Sequence, residues 1–441
     1  MAASPLYVST TGSYGGDGSA SNPFSNLQQA VSAASASGSN TIYLKGGTYY
    51  LNSPIELTSA NSGLTIESAP GSRAVLDGQG WLNSLVRLDG ASGVTLQGLT
   101  FQYTDPYSRA AVVLNGASNN SIIADHFANN GEGLSLQNGS SYNTVSGNEI
   151  DNSSTSAVEV QDGSNNNLFD SNLINGTGAI GTSGGGIDLH GANYNTISHN
   201  LVENTAGMGI GVENWDSTTV NVGNVISDNT LQSTNTSAQS NDSGAIYELG
   251  RSNVDTQSVI TGNYISGPDG GSGHVVGIYL DDNTSGVQVT NNIVANTIDN
   301  SVEIHGGNNV TVQNNVFDLG ANGGSAVLFQ DRWADNGGPT LTNDVVSQNI
   351  ISSTQAFPTA FDNYSNATPT IDSNFYSDPF SNYFQMSGLP QNNAQYGNAN
   401  FANEGGGNYA LSSNSGATSI GFTSIDQSVI GLHPSTAHFY T

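Results

Sequence analysis

Asp281 and Asp282 stand side by side in the stretch GIYLDDNTSG (277–286), with no Lys or Arg within twenty positions on either side. Some forty residues upstream a third carboxylate, Asp242, sits in SNDSGAIYELGR (240–251). Hydrolysis of a glycosidic bond requires two carboxylic groups of opposite protonation state flanking that bond. With so few cations nearby, like-charge repulsion and partial burial raise one carboxyl pKa and supply the acid, while Arg251 holds the other ionised. An Asp-Asp pair after a strand is also the ordinary wording of an Asx-type turn. The choice between turn and chemistry depends on what lies beside that strand.

The positioning elements are legible as a repeat. A frame of the form Asn/Ser–Thr/Val–Val/Ile–x–x–Asn recurs as NTVSGN, NLFDSN, NTISHN, NVISDN, SVITGN, VQVTNN, VTVQNN, VVSQN and TIDSN, ending at Asn148, Asn172, Asn200, Asn229, Asn263, Asn292, Asn315, Asn349 and Asn374. The spacings of 24, 28, 29, 34, 29, 23, 34 and 25 residues fit a coil of fixed size with loops of variable length. A second frame, small–apolar–x–apolar, falls between them as GLSL, AVEV, GIDL, GIGV, AIYE, GIYL, SVEI and AVLF. Short strands, no helical period in the middle and turns rich in Asn, Gly and Ser predict an all-β right-handed parallel β-helix. Val145, Ile197, Ile260, Val289 and Val312 are expected to point inward, and the repeated Asn residues to stack from coil to coil at left-handed turns. The spacing of Phe24, Leu27, Ala30, Val31 and Ala34 predicts a capping helix within 22–38. One domain is expected over 1–441, with a cap at 1–40, coils at 41–374 and a C-terminal covering segment at 375–441.

Alternation in the second frame sends every other residue outward, so the frames can be read as columns on one sheet face. Along that face run Asp188 and His190, Glu213, Tyr247 (with Glu248 where an apolar residue is expected), Tyr279 and Asp281, Glu303 and His305, and Gln330. The two 34-residue spacings place Asp242 on a loop before the Tyr247 strand, and Arg332 and Trp333 on a loop after Gln330. Such loops wall a groove, and Trp215, Trp333 and the tyrosines are platforms on which sugar C–H faces stack. His190 and His305 are candidates for binding hydroxyls or completing a proton network. Neighbouring coils put Asp242 and Asp281 roughly 5–10 Å apart, a range covering both retaining and inverting chemistry.

Composition excludes several classes. The 441 residues contain no cysteine, which rules out disulfides and thiolate chemistry. Thirty-five acidic against six basic residues give a net charge of −29, which repels nucleic acid and anionic lipid. No apolar run is long enough to span a membrane, and MAASPLYVS has neither the basic start nor the apolar stretch of a signal peptide. A secreted monomer with a polysaccharide or oligosaccharide substrate is the expectation.

SNDSGAIYELGR and GIYLDDNTSGVQVTNNIV resemble the paired aspartate motifs of glycoside hydrolase family 141, β-helix enzymes acting on fucosides and xylan. YVSTTGSYGGDGSASNPFSNLQQAV, LKGGTYYLNSPIELTSANSGLTIESAPGSRAVLDG and NYALSSNSGATSIGFTSIDQSVIGL are similar to it as well. The chain is short for that family and its middle loops differ. The resemblance implies Asp242 and one of Asp281 or Asp282 as the catalytic pair; two carboxylates suffice for the reaction, so no cofactor is expected unless Ca²⁺ serves a lyase. Strand alternation favours Asp281 as the reacting member, with Asp282 bonding the amides of Thr284 or Ser285.

Two other readings compete. GGIDLHGANYNTISHN resembles the Asp-x-His element of alginate epimerases, with Leu189 in place of Pro and Glu213 or Asn214 in place of the later Asp. A lyase or uronate epimerase would use Arg251 or Arg332 as base, since the one Lys is Lys45. It would hold Ca²⁺ on Asp188, Glu213, Asp281 and Glu303. A carbohydrate-binding adhesin is the third reading, because fold alone does not establish activity.

Overall fold

The computed structural model describes residues 4–107, 110–180, 184–216, 218–237, 241–252, 254–268, 273–331, 341–378 and 383–433. Each Asn-ending frame forms a three-residue strand whose central side chain is buried. Val145, Ile197, Ile260, Val289 and Val312 are all at most 1 % exposed, as their spacing predicts. The chain is a right-handed parallel β-helix of about 12 turns, nearly all β, with one α-helix among the described residues. It divides into two compact units, Met1–Asp188 with His433–Thr441, and Leu189–Leu432.

In the first unit, strand Leu6–Ser13 pairs in parallel with Thr41–Leu44, so the expected cap already supplies a strand to the coils. The helix is shorter than 22–38 and runs Leu27–Ser37. Asn26 caps it through Gln29 N–H, and Gly38, at φ 72°, closes it. Leu27, Ala30, Val31 and Ala34 face the core, while Phe24 is buried just ahead of the helix in a bridge with Val8. Asn148 N and Nδ2 both donate to Asn172 Oδ1, at 3.0 and 2.9 Å.

The second unit repeats that rung through Asn200, Asn229, Asn263, Asn292, Asn315, Asn349 and Asn374. Each buried amide is thus satisfied by the next coil. The left-handed residue precedes the ladder Asn instead of being it: His199, Asp228, Asn291, Asn314, Gln348 and Ser373 all lie at φ 53–58°. The ladder position needs an amide that both donates and accepts, whereas the turn position needs only a tolerant backbone. Two ladder-type positions carry Asp. In the first unit Asp125 accepts from Leu99 N–H at 2.7 Å, and in the second Asp344 accepts from Val310 N–H at 2.9 Å.

One sheet of the second unit runs Ile210–Glu213, Ser243–Leu249, Val275–Asp281, Val302–His305, Ser325–Gln330 and Thr359–Tyr364, all parallel. The coils continue beyond 374, because Phe375–Ser377 and Gln395–Gly397 still pair in parallel. The following segment packs Ala399, Tyr409, Ala417, Ile420 and Phe422 over Ile293, Val316, Ile350 and Phe375 on the flank of a second sheet. Tyr409 O–H donates to Asp318 at 2.7 Å.

Candidate active site

Asp281 is the last residue of its strand, and the two residues after it, Asp282 (φ 45°) and Asn283 (φ 74°), take the left-handed turn. The turn is locked from beneath. Thr284 Oγ1 reaches the Asp281 and Glu248 carbonyls at 2.7 and 2.8 Å, and Asn283 N–H donates to the His305 carbonyl. Gly307 permits this approach, since a Cβ there would fall 2.3 Å from the Thr284 carbonyl oxygen. The backbone of Asp281 is thus tied to the turn through Thr284. Its carboxylate accepts from Tyr247 O–H (2.7 Å) and Asp282 N–H (2.7 Å) and pairs with His305 Nδ1 (2.6 Å). Burial pushes its pKa up, but the His305 and Tyr247 bonds more than offset this and hold it below the usual value. Asp281 is thus buried and ionised. Burial pulls His305 down, and its bond to Asp281 reverses the sign, leaving it raised.

Asp242 lies across the same sheet, exposed and left-handed (φ 55°), immediately before the Ser243 strand. Tyr279 O–H donates to it at 3.1 Å. The Tyr247 and Tyr279 rings meet edge to face at 5.3 Å, so the two hydroxyls link Asp281 and Asp242 through one packed pair. Burial, then neighbouring carboxylates, push both phenols upward, so both remain O–H donors at working pH. Register adds a group that the column reading missed. Ser243 pairs with Val275, so His274 stands one rung from Asp242 at the same offset. That shared offset, one residue ahead of the frame, was the available signal. His274 bridges Asp299 (2.5 Å) and Glu303 (2.7 Å), and those two bonds raise its pKa to about 10.

A raised cation contributes stability in full below its unfolded pKa of ~6.5, and loses it as pH climbs through the folded value. Its side chain is a third exposed, so solvent damps the effect. The melting temperature of His274→Gln should accordingly trail the wild type most below pH ~6.5 and approach it near pH 10. Parallel melting curves across that range would show that His274 is not the cation described.

A family profile described as Pel9A-like, right-handed beta helix region, matches residues 6–226, half of the chain. The chain belongs to that family. Among solved structures, one titled the complex structure of XylC with xylose is 10 % identical, with 89 % of this chain and 86 % of that one covered and a TM-score of 0.53. A glycoside hydrolase is 9 % identical over 98 % and 100 % of the two chains, at a TM-score of 0.49. Pectate lyase Pel9A is 16 % identical over 94 % and 91 %, at 0.46. At these identities the likeness is one of fold. No curated protein matches the sequence.

On this Pel9A-like scaffold several expected residues take other roles. Glu248 is in register with Leu280 and Val212, fully buried, and accepts from Ser258 Oγ; burial pushes it to about 7. It belongs to the core, because its alternation places it opposite Tyr247. Tyr247 and Tyr279 are 4 % and 2 % exposed, so they work through their hydroxyls and offer no ring face to a sugar. Asp282 pairs with Arg251 Nε at 2.6 Å, and the Thr284 amide expected to bond it is held by the Asp281 carbonyl instead. Arg251 thus serves Asp282, and also lies 5.1 Å over the Trp215 ring.

Trp215 is 60 % exposed and donates to Glu213 at 2.7 Å, with His190 Nδ1 at 3.7 Å from the same carboxylate. Gln330 lies in register with His305 on the next coil. Asp188 closes the first unit, where Ser156 Oγ donates to it at 2.6 Å. Arg332 and Trp333 lie outside the described residues. The candidate ligand atoms of Asp281, Asp282 and His305 all lie within 4.8 Å of one another. Two carboxylates already engaged by Arg251, Tyr247 and His305, plus an imidazole, do not make the oxygen-rich shell that Ca²⁺ takes.

Proposed function

We propose that the protein is a glycoside hydrolase acting on a neutral polysaccharide, with xylan- or fucoside-containing glycans favoured by the family 141 resemblance. Asp281 is the ionised carboxylate, acting as nucleophile or as base toward water, and Asp242 is the general acid that protonates the leaving oxygen. The observation that carries this reading is Asp281 itself, a buried carboxylate kept ionised by donors from neighbouring coils. Either role demands that ionised state. Asp242 is open to solvent, where the leaving oxygen of a bound chain can reach it. Tyr279 fixes its direction. A net charge of −29, with Glu213, Glu303 and Asp299 around the pair, favours uncharged sugars over uronates.

The test is product mass after incubation with xylan, fucosylated glycans and polyuronates. Products heavier by water than the fragments of the cleaved chain are expected, and unsaturated uronides would replace this reading with a lyase. Activity should also survive exhaustive chelation, because two carboxyl groups suffice. Activity lost to EDTA and restored by Ca²⁺, at constant melting temperature, would again move the reading to a lyase.

A further inference from the structure

Phe357 and Tyr383 are 67 % and 64 % exposed, and their rings meet at 6.2 Å and 61°. With Thr354 and Ala356 they line an open cavity of about 700 Å³. The backbone that carries Phe357 is tied down. Gln385 N–H donates to the Pro358 carbonyl and Gln385 Nε2 to that of Phe357, while Gln355 Nε2 ties the preceding loop to Gly323. Among the described residues, no charged side chain lines the cavity.

Register connects this pair to the aspartates. Ser243 pairs with Val275, Ile278 with Val302, Val302 with Val327, and Ser325 with Thr359, to which Gln385 is bridged. Phe357 and Tyr383 lie two residues ahead of Thr359 and Gln385, and Asp242 lies one residue ahead of Ser243, so Phe357 and Asp242 each precede a strand of the same sheet. Four rung steps of ~4.8 Å separate Ser243 from Thr359, or ~19 Å, each step close to one sugar residue of an extended chain. We propose that Phe357 and Tyr383 form a distal glycan subsite that receives a neutral polysaccharide running along the coils roughly four sugars from Asp242. This deepens the hydrolase reading and rests on it for the position of the cleaved bond. Two ring faces offer an uncharged pyranose the apolar stacking surface it needs. They supply far less than the ~1,200 Å² of a stable protein interface, which argues against a second copy as occupant.

The test uses Asp281→Asn protein in native gels containing soluble xylan, a linear β-glucan or galactomannan. Retardation by at least one polymer is expected, and adding Phe357→Ala with Tyr383→Ala should weaken the apparent affinity about tenfold. Phe357→Tyr, which keeps the ring, should retain it, and Tyr50→Ala, an exposed ring in the first unit, should change nothing. Equal retardation with and without the two rings overturns the subsite, as does no retardation by any polymer. So does a wild-type dimer that the double substitution dissociates. The hydrolase reading is judged separately by wild-type turnover: a chain that binds through these rings but cleaves nothing keeps the subsite and loses the hydrolase.

Discussion

Asp281→Asn should lower turnover by at least ~10³-fold with the fold intact, because it keeps the shape of the side chain and removes the charge that the site is built to hold. The donors from Tyr247, His305 and Asp282 all converge on that one carboxylate. An amide there leaves at least one donor facing another N–H, so some loss of stability is expected too, and melting must be recorded beside activity. Asp242→Asn should cost a similar factor, and the double substitution little more, since a pair that acts as a unit is lost once.

Tyr247→Phe is the finer probe. It removes a bond that lowers the Asp281 pKa, so the acidic limb of the pH–rate profile should move to higher pH while the alkaline limb stays. Asp282→Asn should loosen its pair with Arg251 and cost ~1 kcal/mol of stability, with turnover largely kept. An inactive Asp282→Asn beside an active Asp281→Asn would reverse the two roles. If neither substitution changes turnover, the hydrolase reading fails.

The second large effect concerns the two aspartates standing where the ladders want amides. In neighbouring rungs the Asn Nδ2 donates to a carbonyl one coil back, as Asn148 does to Ile122 and Asn292 to Ile260. An ionised Asp can only accept. The second carboxylate oxygens of Asp125 and Asp344 accordingly have no hydrogen-bond partner among the described residues. Burial drives Asp125 well above the ordinary value and Asp344 to about 7. A carboxyl group whose folded pKa is raised stabilises in full below its unfolded value of ~3.8, and that stability is lost as pH rises through the folded value. For Asp344 the slope is ~1.4 kcal/mol per pH unit over roughly three units. Asp344→Asn should therefore melt close to wild type near pH 4 and well above it at pH 8. Asp125→Asn should act in the same direction. Equal melting temperatures at pH 8 would mean that the carboxylates find donors when charged.

The coils were legible because burial repeats. One inward residue and one amide per turn recur often enough that a 23-residue floor stands out through loops of varied length. The column face was legible for the same reason, and it brought Asp281, His305 and Glu303 onto one sheet before any coordinates. What alternation could not reveal is partnership. Glu248 breaks the frame at an inward position, and only its bond to Ser258 shows how the core tolerates it. His274 precedes its frame and stayed invisible until register aligned it with Asp242. The ends blurred because a terminal strand such as Leu6–Ser13 has a neighbour on one side and carries no Asn of the ladder.

The segment from Ala399 to Phe422 has a consequence for how the second unit is made. Its tyrosine, alanines and phenylalanine cover an apolar stripe of Ile293, Val316, Ile350 and Phe375 contributed by four successive turns. Those turns leave the ribosome first and must wait, greasy side bare, until residues 399–422 follow them. Synthesis interrupted near residue 398 would yield stacked coils with an uncovered flank, prone to stick to one another. The segment is thus a seal applied after the turns it covers, setting a covered unit apart from one interrupted before it.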